Sequence, residues 1–151
     1  MSSLRNILRE IRKELREKEK VRENVQKDMR KATSLSKQAI LLVHQKRSEE
    51  AKKLIETAKE IISKLRDTSS SYPEIIYSGL FNAALQEYSE SNIFLNLVEE
   101  SRLVTPKEIN VPSVDYALGL ADVIGEYRRL ALDALREGNV EKGEKCLQTM
   151  D

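Results

Sequence analysis

Residues 4–45 read LRNILREIRKELREKEKVRENVQKDMRKATSLSKQAILLVHQ. Within this stretch Leu4, Ile7, Leu8, Ile11 and Leu15, then Val21, Val25, Met29, Ala32, Leu35, Ala39, Leu42 and Val43, follow a helical period of three and four, and neither Gly nor Pro occurs before Pro73. The pattern predicts one very long helix, from about Ser3 to Gln45. That is beyond ordinary globular length, so its apolar stripe calls for other helices lying along it.

Working outward, residues Lys46 to Glu49 read as a short connection into a second helix carrying Ala51, Leu54, Ile55, Ala58, Ile61, Ile62 and Leu65. The run Asp67-Thr-Ser-Ser-Ser-Tyr-Pro73 ends it, because its serines compete for backbone hydrogen bonds and Pro73 suits a first helical position. A third helix is predicted from Pro73 to Glu100. Thr105-Pro-Lys-Glu108 has the cap, proline and N3 acid of a short helical turn. Pro112-Ser113 opens a fourth long helix to Glu137, stopped by Gly138-Asn139, and Val140 to Asp151 is helical in pattern. Short connections between long helices give the fold class: all-α, an elongated antiparallel helical bundle with a very long N-terminal helix.

The composition agrees. The 151 residues suit one domain, and five Gly, three Pro, two Phe and no Trp do not suit a turn-rich sandwich or barrel. One cysteine and one histidine exclude a disulfide framework and a Cys/His zinc site, so any metal here must be held by oxygen. No apolar run approaches a membrane span and the first thirty residues are highly charged, so a soluble, cytoplasmic protein is expected. The net charge of +1 hides a division: residues 1–66 hold 19 Lys/Arg against 10 Asp/Glu, and residues 67–151 hold 7 against 15. Arg5, Arg9, Arg12, Arg16, Lys20, Lys27, Arg30 and Lys31 could contact phosphates without reading bases; a solvated Lys/Glu/Arg face is the plainer account.

Acids stand out on two helices. A helical projection places Glu87 inside the apolar stripe of the third helix and Glu90 at its margin, with Ser78, Asn82, Ser89 and Asn96 on a polar face. The fourth helix carries Asp115, Asp122, Glu126 and Asp133 with Arg129 on one stripe, and Gly119 and Gly125 beside them allow close approach to the backbone. If the two helices face each other, four carboxylates converge on one pocket, an oxygen-only site suited to Mg²⁺ or Mn²⁺. The alternative is structural: Glu87 meets a Lys or Arg of the first helix, and Asp122 and Glu126 lie on a solvated face. His44 and Cys146 read as structural, and Tyr88 as the tyrosine nearest the acids.

At these residues the chain resembles the translin/TRAX family, and its catalytic TRAX-type members in particular. The likeness is carried by Leu85-Gln-Glu-Tyr-Ser-Glu90, by Leu103-Val-Thr105, by Val21 to Gln45, and above all by Val114-Asp-Tyr-Ala-Leu-Gly-Leu-Ala-Asp-Val-Ile-Gly-Glu126. The resemblance implies a single translin-like helical domain over residues 1–151, which lacks the further helices that family members carry after the segment matching Cys146 to Met150. It also implies a homo-oligomer in a closed, octameric shell that binds single-stranded RNA and DNA. By matched motif position, the catalytic, metal-ligating acids fall on Glu87, Glu90, Asp122 and Glu126, with Mg²⁺ or Mn²⁺ as cofactor and endoribonuclease activity on single-stranded RNA. Two other readings stay open: a non-catalytic single-strand-binding oligomer, and a helical scaffold for another protein.

Overall fold

The computed structural model describes residues 2–151. Among them are seven helices and no strand: α1 (Ser2–His44), α2 (Ser48–Ser69), α3 (Pro73–Ile76), α4 (Gly79–Glu100), α5 (Pro106–Ile109), α6 (Ser113–Arg136) and α7 (Val140–Met150). The long first helix forms because nothing in its sequence breaks it, and i,i+3 and i,i+4 pairs such as Lys18–Glu14 at 3.2 Å and Arg22–Glu19 at 3.1 Å support its solvated face. It stops where Lys46 turns to φ 61°, which lets the N–H groups of Lys46 and Arg47 donate to the carbonyls of Val43 and Leu42 at 3.0 and 2.9 Å.

The chain then doubles back. Helices α2 and α4 both pack on α1, α6 packs on α4, and α7 on α6, so α4 lies in the middle. The core runs along these contacts, through Met29, Ala32 and Ala39 of α1, Ala58, Ile62 and Leu65 of α2, and Ala84, Leu85, Ile93 and Phe94 of α4. Helix α4 is buried around most of its circumference. Its buried Ser89 and Ser91 satisfy their hydroxyls within the helix, donating to the carbonyls of Leu85 and Tyr88 at 2.7 and 2.8 Å. The predicted turn at Thr105 is present with a complete capping box: Glu108 N–H donates to Thr105 Oγ1 at 3.2 Å, and Thr105 N–H donates to Glu108 at 2.6 Å. The Tyr116 hydroxyl, donating to the Val104 carbonyl at 2.6 Å, ties this loop to α6.

Two features differ from the sequence reading. The helix expected over Pro73–Glu100 is broken: α3 is a single turn, Tyr77 and Ser78 leave the helical region, and Ser78 becomes the N-cap of α4, accepting from Phe81 N–H. The second difference concerns α1. Among the described residues Leu4, Ile7, Leu8, Ile11 and Leu15 have no helix alongside and remain 47–61% exposed, because α2 ends level with Val21, where Leu65 and Thr68 share a cleft with it. Among the described residues no helix is long and apolar enough to cross a membrane.

Candidate functional site

The crossing of α4 over α6 fixes the site. At Gly119 the two helices approach so closely that a Cβ would stand 2.8 Å from Ser89 Cβ and 2.9 Å from both the Gln86 carbonyl oxygen and the Glu90 nitrogen. Only hydrogen fits there, and the price of a mid-helix glycine is met by close packing. Gly125, the other glycine of this helix, has nothing within 4 Å of a built Cβ, so close approach explains the first and not the second.

One turn beyond this crossing, Glu87 and Glu90 of α4 and Asp122 and Glu126 of α6 line a single cleft of about 420 Å³ with Lys37, Ile40 and Leu41 of α1 and Arg129 of α6. The order of burial is opposite to that expected from the projection. Glu90 is the buried acid, 6% exposed, Glu87 is half-buried, and Ser89, assigned to a polar face, is fully buried against Gly119. The reason is that α4 is covered on both sides, so its apolar stripe does not define one inward direction. Tyr88 is in the core rather than in the cleft. Asp115, on the same stripe of α6, is buried away from the cleft, and burial pushes its carboxyl up.

Electrostatics tie the four acids together. Burial, and then the charges of Glu87, Asp122 and Glu126, push Glu90 up to about 8 against the pull of Lys37. Glu87 is raised too, first by burial and then by Asp122 and Glu126, with Lys37 opposing. Three of the carboxylates have partners of their own. Lys37 Nζ lies 3.7 Å from Glu87, which is the ion pair with the first helix offered as the structural alternative. Gln86 Nε2 donates to Asp122 at 2.7 Å. His44 Nε2 forms a short hydrogen bond with Glu126. His44 Nδ1 is buried without a partner, and the ring lies 4.9 Å from Phe94.

His44 is therefore part of the site, where the sequence reading made it structural; Lys37 and Gln86 were missed altogether. A signal existed in α1, because Lys37 and His44 are seven residues apart, flank Ile40 and share a face. The eight basic candidates, Arg5, Arg9, Arg12, Arg16, Lys20, Lys27, Arg30 and Lys31, lie outside this cleft. All are exposed, and among the described residues none forms an ion pair. At about 100° per residue they fall in a sector about 100° wide, on a row about 39 Å long that leads toward Lys37.

Can this donor set hold a cation? All four groups offer hard oxygen, and burial with three other carboxylates holds Glu90 up at about 8, a balance that an entering cation would reverse, which fits Mg²⁺ or Mn²⁺ in class and charge. The side chains do not yet converge: among the described residues, no group of three or more His, Cys, Asp or Glu is gathered closely enough to hold a metal ion. Glu87, Asp122 and Glu126 are each drawn instead to Lys37, Gln86 and His44.

Comparison with known proteins decides the lineage. Residues 20–151 match the translin family. The chain belongs to the translin family. An uncharacterized protein of Methanocaldococcus jannaschii is 29% identical over 116 residues, covering 75% of this chain; the chain spans about half, 51%, of that protein's length. Among solved structures, AfC3PO is 34% identical with a TM-score of 0.80, and AfC3PO in complex with duplex RNA is 33% identical with the same score; each match covers 94% of this chain and 73% of the other. Apo-NeC3PO, at 23% identity and a TM-score of 0.82 over 94% of this chain and 75% of its own, shares the fold. The fold of this chain is thus shared with the three solved structures.

Proposed function

We propose that this translin-family protein is a divalent-metal-dependent endoribonuclease of the TRAX type, acting on single-stranded RNA within a closed homo-oligomer. The observation that carries the reading is the gathering of four carboxylates from two helices on one cleft, where burial and then the other three acids push Glu90 up to about 8. Glu87, Glu90, Asp122 and Glu126 would hold Mg²⁺ or Mn²⁺. Bound there, the cation supplies Lewis-acid polarisation of the phosphodiester and acidifies a water near it.

The protein's own groups do the rest. Lys37 and Arg129 place positive charge at the rim, where a bridging phosphate would otherwise be repelled by the acids. His44 holds Glu126 in one orientation from behind, and Ile40 and Leu41 form the apolar wall that limits water access. The exposed row from Arg5 to Lys31 binds backbone phosphates without choosing a sequence. Support for an RNA ligand comes from AfC3PO, which has been solved with duplex RNA.

The decisive experiment incubates end-labelled single-stranded RNA, a duplex of the same sequence and single-stranded DNA with the protein, with and without Mn²⁺. Metal-dependent internal cleavage of the single-stranded RNA that is lost in Glu87→Ala/Asp122→Ala is expected; equal cleavage by the double variant overturns the assignment. One observation favours a second reading, a non-catalytic single-stranded RNA- or DNA-binding oligomer: each of Glu87, Asp122 and Glu126 already has a protein partner. That reading predicts salt-dependent binding with no cleavage, and acid-to-alanine changes that alter stability alone.

A further inference from the structure

Three of the four acids in the cleft have protein partners, and the partners are not equivalent. Gln86 is a neutral amide. Its Nε2 donates to one oxygen of Asp122 at 2.7 Å and leaves the other free, so it can keep this hydrogen bond while Asp122 serves a cation. The His44 side chain is 4% exposed and its ring packs on Phe94, so it stays behind Glu126 whatever the cleft contains. Lys37 differs from both. It is itself a cation, and its Nζ stands 3.7 Å from Glu87, where a metal held by these acids would compete with it.

Little holds Lys37 in place. Its side chain is 63% exposed, and at 3.7 Å the pair lacks a short hydrogen bond. The residues three and four positions away on α1, Thr33, Ser34, Ile40 and Leu41, carry no charge, so its own helix offers no second partner. Arg129, the other base at the cleft, forms no ion pair among the described residues. With all four acids ionised, these two bases leave an excess of two negative charges, which is the charge one dication balances. A dication on Glu87 turns the attraction for Lys37 into repulsion, and an exposed side chain can swing away.

We propose that Lys37 is a place-holder for the metal: its ammonium occupies Glu87 in the metal-free protein, gives that carboxylate up to Mg²⁺ or Mn²⁺, and once released binds a phosphate of the RNA strand at the mouth of the cleft. The inference rests on the metal-dependent reading of the cleft. It makes the phosphate contact of Lys37 conditional on metal, so the strand is gripped beside the acids only when the site is loaded. The consequence has a sign opposite to that of His44 and Gln86, because removing Lys37 should tighten metal binding. Protons on the acids gain from the same removal, but a dication carries twice the charge and gains more.

The test uses the full chain. In titration calorimetry, Lys37→Gln is expected to bind Mn²⁺ about 3–10-fold more tightly than the wild type, the effect in water of removing one charge about 6 Å from a dication. Lys37→Arg, which keeps the charge, should bind like the wild type, and His44→Gln more weakly. Fluorescence anisotropy of a 2′-O-methylated single-stranded RNA that stays intact should show Lys37→Gln weakening binding in Mn²⁺ and leaving it unchanged in chelator. Mn²⁺ binding by Lys37→Gln that is weaker than the wild type or equal to it overturns the proposal and leaves the metal site standing. So does an equal loss of RNA affinity with and without Mn²⁺. A wild-type protein that binds no Mn²⁺, or whose binding survives Glu87→Ala/Asp122→Ala, overturns the metal reading and the proposal together.

Discussion

Gly119 and Gly125 lie six residues apart in α6, and the structure assigns opposite signs to the same substitution at the two positions. At Gly119 a methyl group would meet Ser89 Cβ at 2.8 Å and two main-chain atoms of α4 at 2.9 Å. A side chain can rotate away from such a clash, but the Gln86 carbonyl and the Glu90 nitrogen cannot, so α4 and α6 must separate. Overpacking of this kind costs about 1–3 kcal/mol, and rigid backbone on the receiving side puts Gly119→Ala in the upper part of that range. The better helix propensity of alanine returns about 1 kcal/mol, leaving a net loss of about 1–2 kcal/mol. For a chain of this size that lowers the melting temperature by about 2–8 °C. Gly125→Ala meets nothing within 4 Å and keeps only the propensity gain, about 0.5–1 kcal/mol. Far-UV thermal melts and urea titrations of both variants in chelator read the two effects. Adding Ser89→Gly to Gly119→Ala should recover little, because it removes one of three clashes and leaves both backbone ones. A Gly119→Ala protein as stable as the wild type, or a Gly125→Ala protein equally destabilised, would show that the α4–α6 spacing is not set by this contact.

The other predictions concern the cleft and the basic row. Because Glu90 is raised to about 8 in the folded chain, the unfolded chain loses this proton at lower pH than the folded one. Metal-free stability should therefore fall as pH rises from about 4.5 to about 8, by at most about 1.4 kcal/mol per pH unit, and Glu90→Gln should flatten that slope in pH-dependent urea denaturation. At pH 7, Mn²⁺ binding should release a proton in the wild type but not in Glu90→Gln, measurable by titration calorimetry in buffers of different ionisation enthalpy. His44→Gln should leave the fold intact and weaken Mn²⁺ binding about 10–100-fold by letting Glu126 turn; unchanged affinity in calorimetry would remove His44 from the site. Replacing Arg9 and Arg16 by Gln should weaken single-stranded RNA binding equally for unrelated sequences and reduce the salt slope by about 1.4, read by fluorescence anisotropy.

The helices were legible because each has a local cause that sequence displays: an unbroken period in α1, a capping box at Thr105, a proline at the start of α3, and Gly138, which adopts φ 79° after α6. The break at Ser78 was not, since Pro73 and Ser78 are both good starts and only packing decides that the chain uses both in succession. The four acids could be named but not ranked by depth. A projection finds the inward side of a helix by contrast, and α4, enclosed between α1 and α6, offers little. What buries Ser89 is the absence of a side chain at Gly119, thirty residues away. The same holds for His44, which meets Glu126 across 82 residues of sequence.

Periodicity therefore fixes the direction in which a side chain points and leaves open what it meets. In α1 the apolar stripe runs with one direction from Leu4 to Val43, yet its two parts have different surroundings. From Val21 onward α2 and α4 cover it, and before Val21 no other helix among the described residues reaches it. The sequence expectation of neighbours along the whole helix is met from Val21 onward and, among the described residues, not before it. Near the other end of the helix, Lys37 and His44 face the acids of the cleft. The buried end of α1 thus completes the candidate site, so substitutions at Lys37 or His44 should move the pH dependence set by Glu90, and substitutions at Leu4 or Leu8 should leave it unchanged.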